Sequence, residues 1–101
     1  MAAELLKSFV ASNRVAVLSK TYCPYCVRAK QAIAGVGAQP AVLELDERDD
    51  GPAIQQAAFE LTGQKTVPNV FVDGAHVGGC DKVVAMIQSG KFQALLQKAK
   101  A

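Results

Sequence analysis

The chain has no tryptophan, one histidine and three cysteines. Three is odd, and too few to staple a small secreted scaffold, which points to a reducing compartment and to cysteines used for chemistry. No stretch approaches the ~18 apolar residues of a membrane span. Met1 to Val10 lacks the charged start and long apolar run of a secretory signal. An excess of one charge is also missing. Eleven Lys and Arg stand against nine Asp and Glu, for a formal net charge of +2, and no basic tract stands out. Neither nucleic acid nor membrane is therefore an expected partner. These absences favour the cytoplasm, with an organellar form whose transit peptide has been removed as the alternative. What remains is a chain of 101 residues, half of them hydrophobic. That is enough for one compact domain, residues 1–101, with one core, and too short for two.

The densest chemistry lies at Cys23-Pro24-Tyr25-Cys26. The preceding run, Val15-Ala16-Val17-Leu18, is short, continuous and apolar, as a strand buried on both faces is. After it, Cys26, Ala29, Ile33 and Val36 recur at helical steps, with Ala32 beside them. Pro24 suits a first helical position, because it has no N–H to leave unsatisfied. Cys23 then falls near the N-cap, where free N–H groups and the helix dipole favour a thiolate. Lys20 adds a cation. Such surroundings lower a cysteine pKa from ~8.5 into the range ~3.5–7.5. Cys26, one turn on, is expected to be less exposed, able to donate to the Cys23 sulfur and later to attack it. A Cys-x-x-Cys pair beside a strand–helix pattern reads as a redox couple. Two half-buried structural thiols, or half a zinc site, are the bland alternatives.

The rest of the pattern predicts the fold. Leu5, Leu6, Phe9 and Val10 form one face of a first helix, ended by Asn13-Arg14. Gly35 and Gly37 close the cysteine helix. Ala41 to Leu45 reads as a second strand. Arg48-Asp49-Asp50-Gly51 caps a third helix with Pro52 in its first turn. Its stripe is Ile54, Ala57, Ala58 and Leu61, and Gly63 stops it. Asp73-Gly74 between Asn69-Val70-Phe71-Val72 and Ala75-His76-Val77 is a hairpin signal. Val83, Val84 and Ile87, then Phe92, Leu95 and Leu96 after Gly90, are helical. The order α-β-α-β-α-β-β-α-α predicts an α/β fold of the thioredoxin-like kind: a four-stranded mixed sheet with helices on both faces.

Two further stretches carry candidate binding groups. In Thr66-Val67-Pro68 the proline precedes a strand, in a cis bond at a tight turn or a trans bond ending a loop. With a cis bond, the Val67 N–H and C=O turn outward and can pair with an extended thiol peptide. In Gly78-Gly79-Cys80-Asp81 two glycines permit close approach, and a helix N-terminus offers N–H groups to a carboxylate. Asp81 either holds an ammonium group or only supports its own helix dipole.

Taken together, Thr21-Tyr22-Cys23-Pro24-Tyr25-Cys26, Thr66-Val67-Pro68-Asn69-Val70-Phe71 and Gly78-Gly79-Cys80-Asp81 resemble a glutaredoxin of the dithiol type, in that family's order and spacing over nearly the whole chain. The resemblance implies a cis Pro68, glutathione as co-substrate without a metal, glutathionylated proteins as partners, and a monomer. It makes Cys23 the nucleophile and Cys26 its resolving thiol. Lys20 and Gln64 would hold the glycine carboxylate of glutathione. Val67 would pair with its cysteinyl backbone, with Thr66, Pro68 and Tyr25 lining the groove. Gly79 and the N–H groups of Cys80 and Asp81, with the Asp81 carboxylate, would take the γ-glutamyl end. Two departures stand out. Lys65 occupies a position where many relatives have arginine, which weakens bidentate carboxylate binding there. Lys82 follows Asp81 where an acidic or small polar residue is common.

Other readings compete. Cys23, Cys26, His76 and Cys80 make a formal Cys₃His zinc set. Cys23 from two subunits with two glutathione thiols could hold an iron–sulfur cluster, which Pro24 opposes by stiffening the helix start. Thioredoxin itself carries a Trp-Cys-Gly-Pro-Cys run that this chain lacks. Cys80 is either a packed residue or a secondary site of glutathionylation. His76 is expected at the surface rather than as a base, and Asp46 to Asp50 as a solvated loop.

Overall fold

The structure, a computed structural model, describes residues 1–99. Helix α1 (Ala2–Ser12) leads into strand β1 (Val15–Ser19), then α2 (Pro24–Gly35) and β2 (Ala41–Glu44). A single 3₁₀ turn (Leu45–Glu47) precedes α3 (Gly51–Thr62). Strands β3 (Asn69–Val72) and β4 (Ala75–Gly78) form the hairpin, and α4 (Cys80–Ser89) and α5 (Lys91–Ala99) close the chain. Sheet order is β2-β1-β3-β4. β1 and β2 are parallel, and the other two pairs are antiparallel. This is the predicted mixed sheet with helices on both faces.

β1 shows why its run is apolar throughout. Ala16 and Leu18 pack with Leu6 and Val10 of α1, Ile54 and Ala58 of α3, and Phe71. Val15 and Val17 pack on the opposite face with Ile33 of α2, Val83 of α4 and Phe92 of α5. Successive side chains leave a strand on opposite faces, so a strand between two helical layers must be apolar at every position. Each fully buried Leu, Ile or Phe contributes about 1.5–3 kcal/mol.

Two expectations shift. Leu45 is the first residue of the 3₁₀ turn rather than the last of β2, and is buried beneath α3. Leu61 is 53% exposed. The buried line of α3 advances by four, from Ile54 to Ala58 to half-buried Thr62, and leaves Leu61 beside it. The start of α3 needs a glycine, because a Cβ on Gly51 would lie 1.9 Å from the Leu45 carbonyl oxygen.

The pairing directions bring four connections to one end of the sheet. Ser19 pairs with Glu44 at the C-terminal ends of β1 and β2. Leu18 opposes Asn69 at the start of β3, and Val70 opposes Gly78 at the end of β4. The cysteine turn, the 3₁₀ turn, the Thr66–Pro68 loop and the start of α4 therefore meet there.

Candidate active site

Cys23 is the N-cap of α2, and its sulfur accepts the Cys26 backbone N–H at 3.4 Å. Its own N–H is held by the Lys20 carbonyl at 3.1 Å, which closes the turn out of β1. Across the groove, the Cys23 thiol faces the Val67 carbonyl oxygen at 3.9 Å. Cys23 is half-buried, Cys26 is fully buried, and both are free thiols.

Their environments separate the two thiols. Burial raises the proton affinity of Cys23. Hydrogen bonds from the Cys26 thiol and from the Cys26 and Tyr25 backbone N–H groups, with the Lys20 charge, outweigh it and hold Cys23 below its ordinary value. Burial pushes Cys26 upward. The Lys20 backbone and the Ser19 hydroxyl pull it down, but the thiol's own bond to Cys23 and the Cys23 charge add to the rise. The two thiols are thus shifted in opposite directions, half-buried Cys23 toward its thiolate and buried Cys26 toward its protonated form.

Seven predicted binding residues line one groove beside the Cys23 sulfur: Tyr25, Thr66, Val67, Pro68, Gly79, Cys80 and Asp81, joined by Lys82. The Val67–Pro68 bond is cis. Gly78 has φ +137°, and a Cβ there would meet the Lys82 side chain at 3.3 Å, so the turn into α4 calls for glycine. Gly79 caps α4 without a side chain, which leaves the N–H groups of Cys80 and Asp81 in its first turn. Cys80 is buried, and burial raises its thiol above the ordinary value despite Arg28.

Lys20 lies in a second cleft, with Tyr22, Asp46, Arg48 and Gln55 among its lining. Gln64 does not join it. The Gln64 amide nitrogen instead donates to the Pro68 carbonyl at 2.9 Å and the Thr66 carbonyl at 3.2 Å. Lys20 and Gln64, expected together at one carboxylate, do not line a common cleft here, and both Gln64 amide hydrogens are engaged by loop carbonyls. Gln55, which sequence reasoning passed over, lies in Lys20's cleft and donates to the Lys65 carbonyl at 2.6 Å. Its neighbour Ile54 marks the core side of α3; nothing in the spacing marks Gln55 as facing Lys20. The Lys65 ammonium sits 5.0 Å over the Phe59 ring. His76 is hydrogen-bonded to Asn69 and Gln64 rather than directed toward the cysteines. The 46–50 run is less free than a solvated loop, since Asp46 accepts from Thr21 and Arg48 grips Asp50.

The family model described as Glutaredoxin matches residues 15–77. A glutaredoxin of Vernicia fordii is 53% identical over 95 residues, covering 94% of this chain and 91% of that one. Glutaredoxin-C2 of Arabidopsis thaliana is 48% identical over 101 residues, covering 100% of this chain and 91% of that one. A solved buckwheat glutaredoxin–glutathione complex superposes with a TM-score of 0.95 at 46% identity, covering 100% of this chain and 92% of that one. With a thiol pair at the start of α2, a cis proline across the groove and these likenesses over nearly its full length, the chain belongs to the glutaredoxin family.

Proposed function

We propose that this glutaredoxin removes glutathione from glutathionylated proteins, with Cys23 as the nucleophile. It is a glutathione-dependent thiol–disulfide oxidoreductase, and the observation that carries the finer reading is the contrast between its two thiols. The Cys23 sulfur, whose thiolate is favoured by N–H groups, attacks the glutathione sulfur of the mixed disulfide. The protein–glutathione S–S bond breaks, and the protein sulfur leaves as a thiolate that takes up a proton. Glutathione stays bonded to Cys23. A second glutathione thiolate attacks that glutathione sulfur, forming oxidised glutathione and returning the Cys23 thiolate. A full protein disulfide also uses Cys26, which attacks the Cys23 sulfur and expels the bound thiol.

The solved buckwheat relative is a complex with glutathione. In this chain the groove beside Cys23 offers matching chemistry. Val67 supplies backbone to pair with the cysteinyl unit, beside Thr66, Pro68 and Tyr25. The N–H groups of Cys80 and Asp81, after Gly79, take the γ-glutamyl carboxylate, and the Asp81 carboxylate takes its ammonium. Lys20, with Gln55 in its cleft, takes the glycine carboxylate, while Gln64 holds the Thr66 and Pro68 carbonyls. The chain works as a monomer on a cytoplasmic pool of glutathione.

The test is a coupled assay with glutathione, glutathione reductase, NADPH and a small glutathione mixed disulfide. NADPH consumption should depend on the protein and vanish in Cys23→Ser. Consumption no faster than the uncatalysed background in the parent protein would refute the reading.

A further inference from the structure

The side-chain amide of Gln64 is engaged at both ends. Its nitrogen donates to the carbonyl oxygens of Thr66 and Pro68 at 3.2 and 2.9 Å. Its oxygen lies 3.2 Å from His76 Nε2, and the same ring nitrogen lies 2.8 Å from Asn69 Oδ1. Both neighbours of Nε2 are oxygens that only accept, which assigns the ring proton to Nε2. The ring rests against Phe71 with centroids 5.4 Å apart, and Asn69 is fully buried. A rigid base on β3 and β4 thus orients the amide.

What the amide holds gives the arrangement its meaning. Gln64 takes the carbonyls on either side of Val67, while the Val67 carbonyl itself faces the Cys23 thiol. With the two flanking carbonyls tied to Gln64 and the Val67 carbonyl turned toward Cys23, the Val67 backbone is left to a partner in the groove. We infer that Gln64, oriented by His76 and Asn69, is a positioning residue that holds Val67 in register for pairing with the backbone of glutathione and makes no contact with either glutathione carboxylate. The inference rests on glutathione being the substrate of the groove.

Two variants separate hydrogen bonding from volume. Gln64→Met keeps the length of the side chain and removes both donors. His76→Phe keeps the ring on Phe71 and removes its N–H. Each is assayed in the full chain with glutathione and with glutathione whose glycine carboxylate is blocked as an ethyl ester. Gln64→Met should raise the apparent KM roughly three- to tenfold, the scale of about one net hydrogen bond. The factor should be the same for both thiols, with kcat and the Cys23 alkylation rate little changed. His76→Phe should give a smaller rise, and should add nothing in the Gln64→Met background. A Gln64→Met penalty seen with glutathione but absent with the ester would overturn the inference in favour of a direct carboxylate contact. An unchanged KM for both thiols would overturn it as well. Amide hydrogen exchange without substrate gives an independent reading: residues 64–69 should exchange faster in Gln64→Met while α2 stays protected. Unchanged exchange there refutes the clamp, whereas a parent protein inactive with both thiols refutes the glutathione reading instead.

Discussion

Thr21 gives both of its donors to Asp46: its backbone N–H meets Oδ1 at 3.0 Å, and its hydroxyl meets Oδ2. The bond joins the turn before Cys23 to the 3₁₀ turn after β2, so two neighbouring strand ends are stitched together beside the nucleophile. The Thr21 hydroxyl and N–H are the main reasons that the Asp46 carboxyl titrates below its ordinary range, with a smaller contribution from Lys20. The folded state therefore holds Asp46 in its charged form more strongly than the unfolded chain does. Its contribution is complete above the unfolded value and is lost as pH falls through the lowered folded value. Asp46→Ala should lower the denaturant midpoint at neutral pH and converge on the parent under strongly acidic conditions. Equal midpoints for the two proteins at neutral pH would show that the tie stabilises nothing.

The resolving thiol should prove dispensable for the one-thiol cycle. Cys26→Ser is expected to keep or raise turnover of a glutathionylated substrate, because Cys26 can otherwise expel glutathione from Cys23 prematurely. The same variant should fail to reduce a protein disulfide to completion. Loss of both activities would mean that Cys26 takes part in every turnover.

Titration of Cys23 should follow its donors. Iodoacetamide alkylation against pH should give a midpoint below the ~8.5 of a free cysteine. Replacing Cys26 by serine swaps a thiol donor for a hydroxyl and leaves the backbone N–H of residue 26 in place. The midpoint should therefore stay below the free value. A return to the free value in that variant would assign the whole effect to the Cys26 side chain.

The charged groups on either side of Cys23, Asp81 in the groove and Lys20 in the second cleft, predict a salt-sensitive preference for glutathione. Asp81→Asn and Lys20→Ala should each raise the apparent KM for glutathione by at most about fivefold, since exposed ion pairs contribute about 0–1 kcal/mol. Added salt should shrink both effects. Cys23 alkylation by a neutral reagent should change little in Asp81→Asn. If neither variant alters the KM at low salt, recognition belongs to the Val67 backbone alone.

Element order, sheet composition and the two thiols were legible because each rests on short-range pattern. A doubly buried strand is apolar at every position, Asp73-Gly74 turns a hairpin, and a cysteine before Pro24 falls at a helix start. The binding groove was legible through three motifs and a family likeness. The directions of Gln64, Asp46 and Gln55 were not. Each is a polar side chain bonded to a loop carbonyl or loop donor near the strand ends, and neither helical nor strand periodicity encodes which of several nearby groups it will reach. Leu61 shows the related failure within a helix: steps of three and four both fit the spacing, and only packing chooses between them.

The close approach of Gly51 to the Leu45 carbonyl has a consequence for variant interpretation. Gly51→Ala looks like the mildest of changes, at a helix start well removed along the chain from either reactive sulfur. The added methyl group has no room unless α3 moves away from the 3₁₀ turn, and that turn carries Asp46, which anchors Thr21 just ahead of Cys23. A ranking of variants by sequence distance from the thiols would pass over this position, although the turn it presses on is the one that seats the residue ahead of the nucleophile.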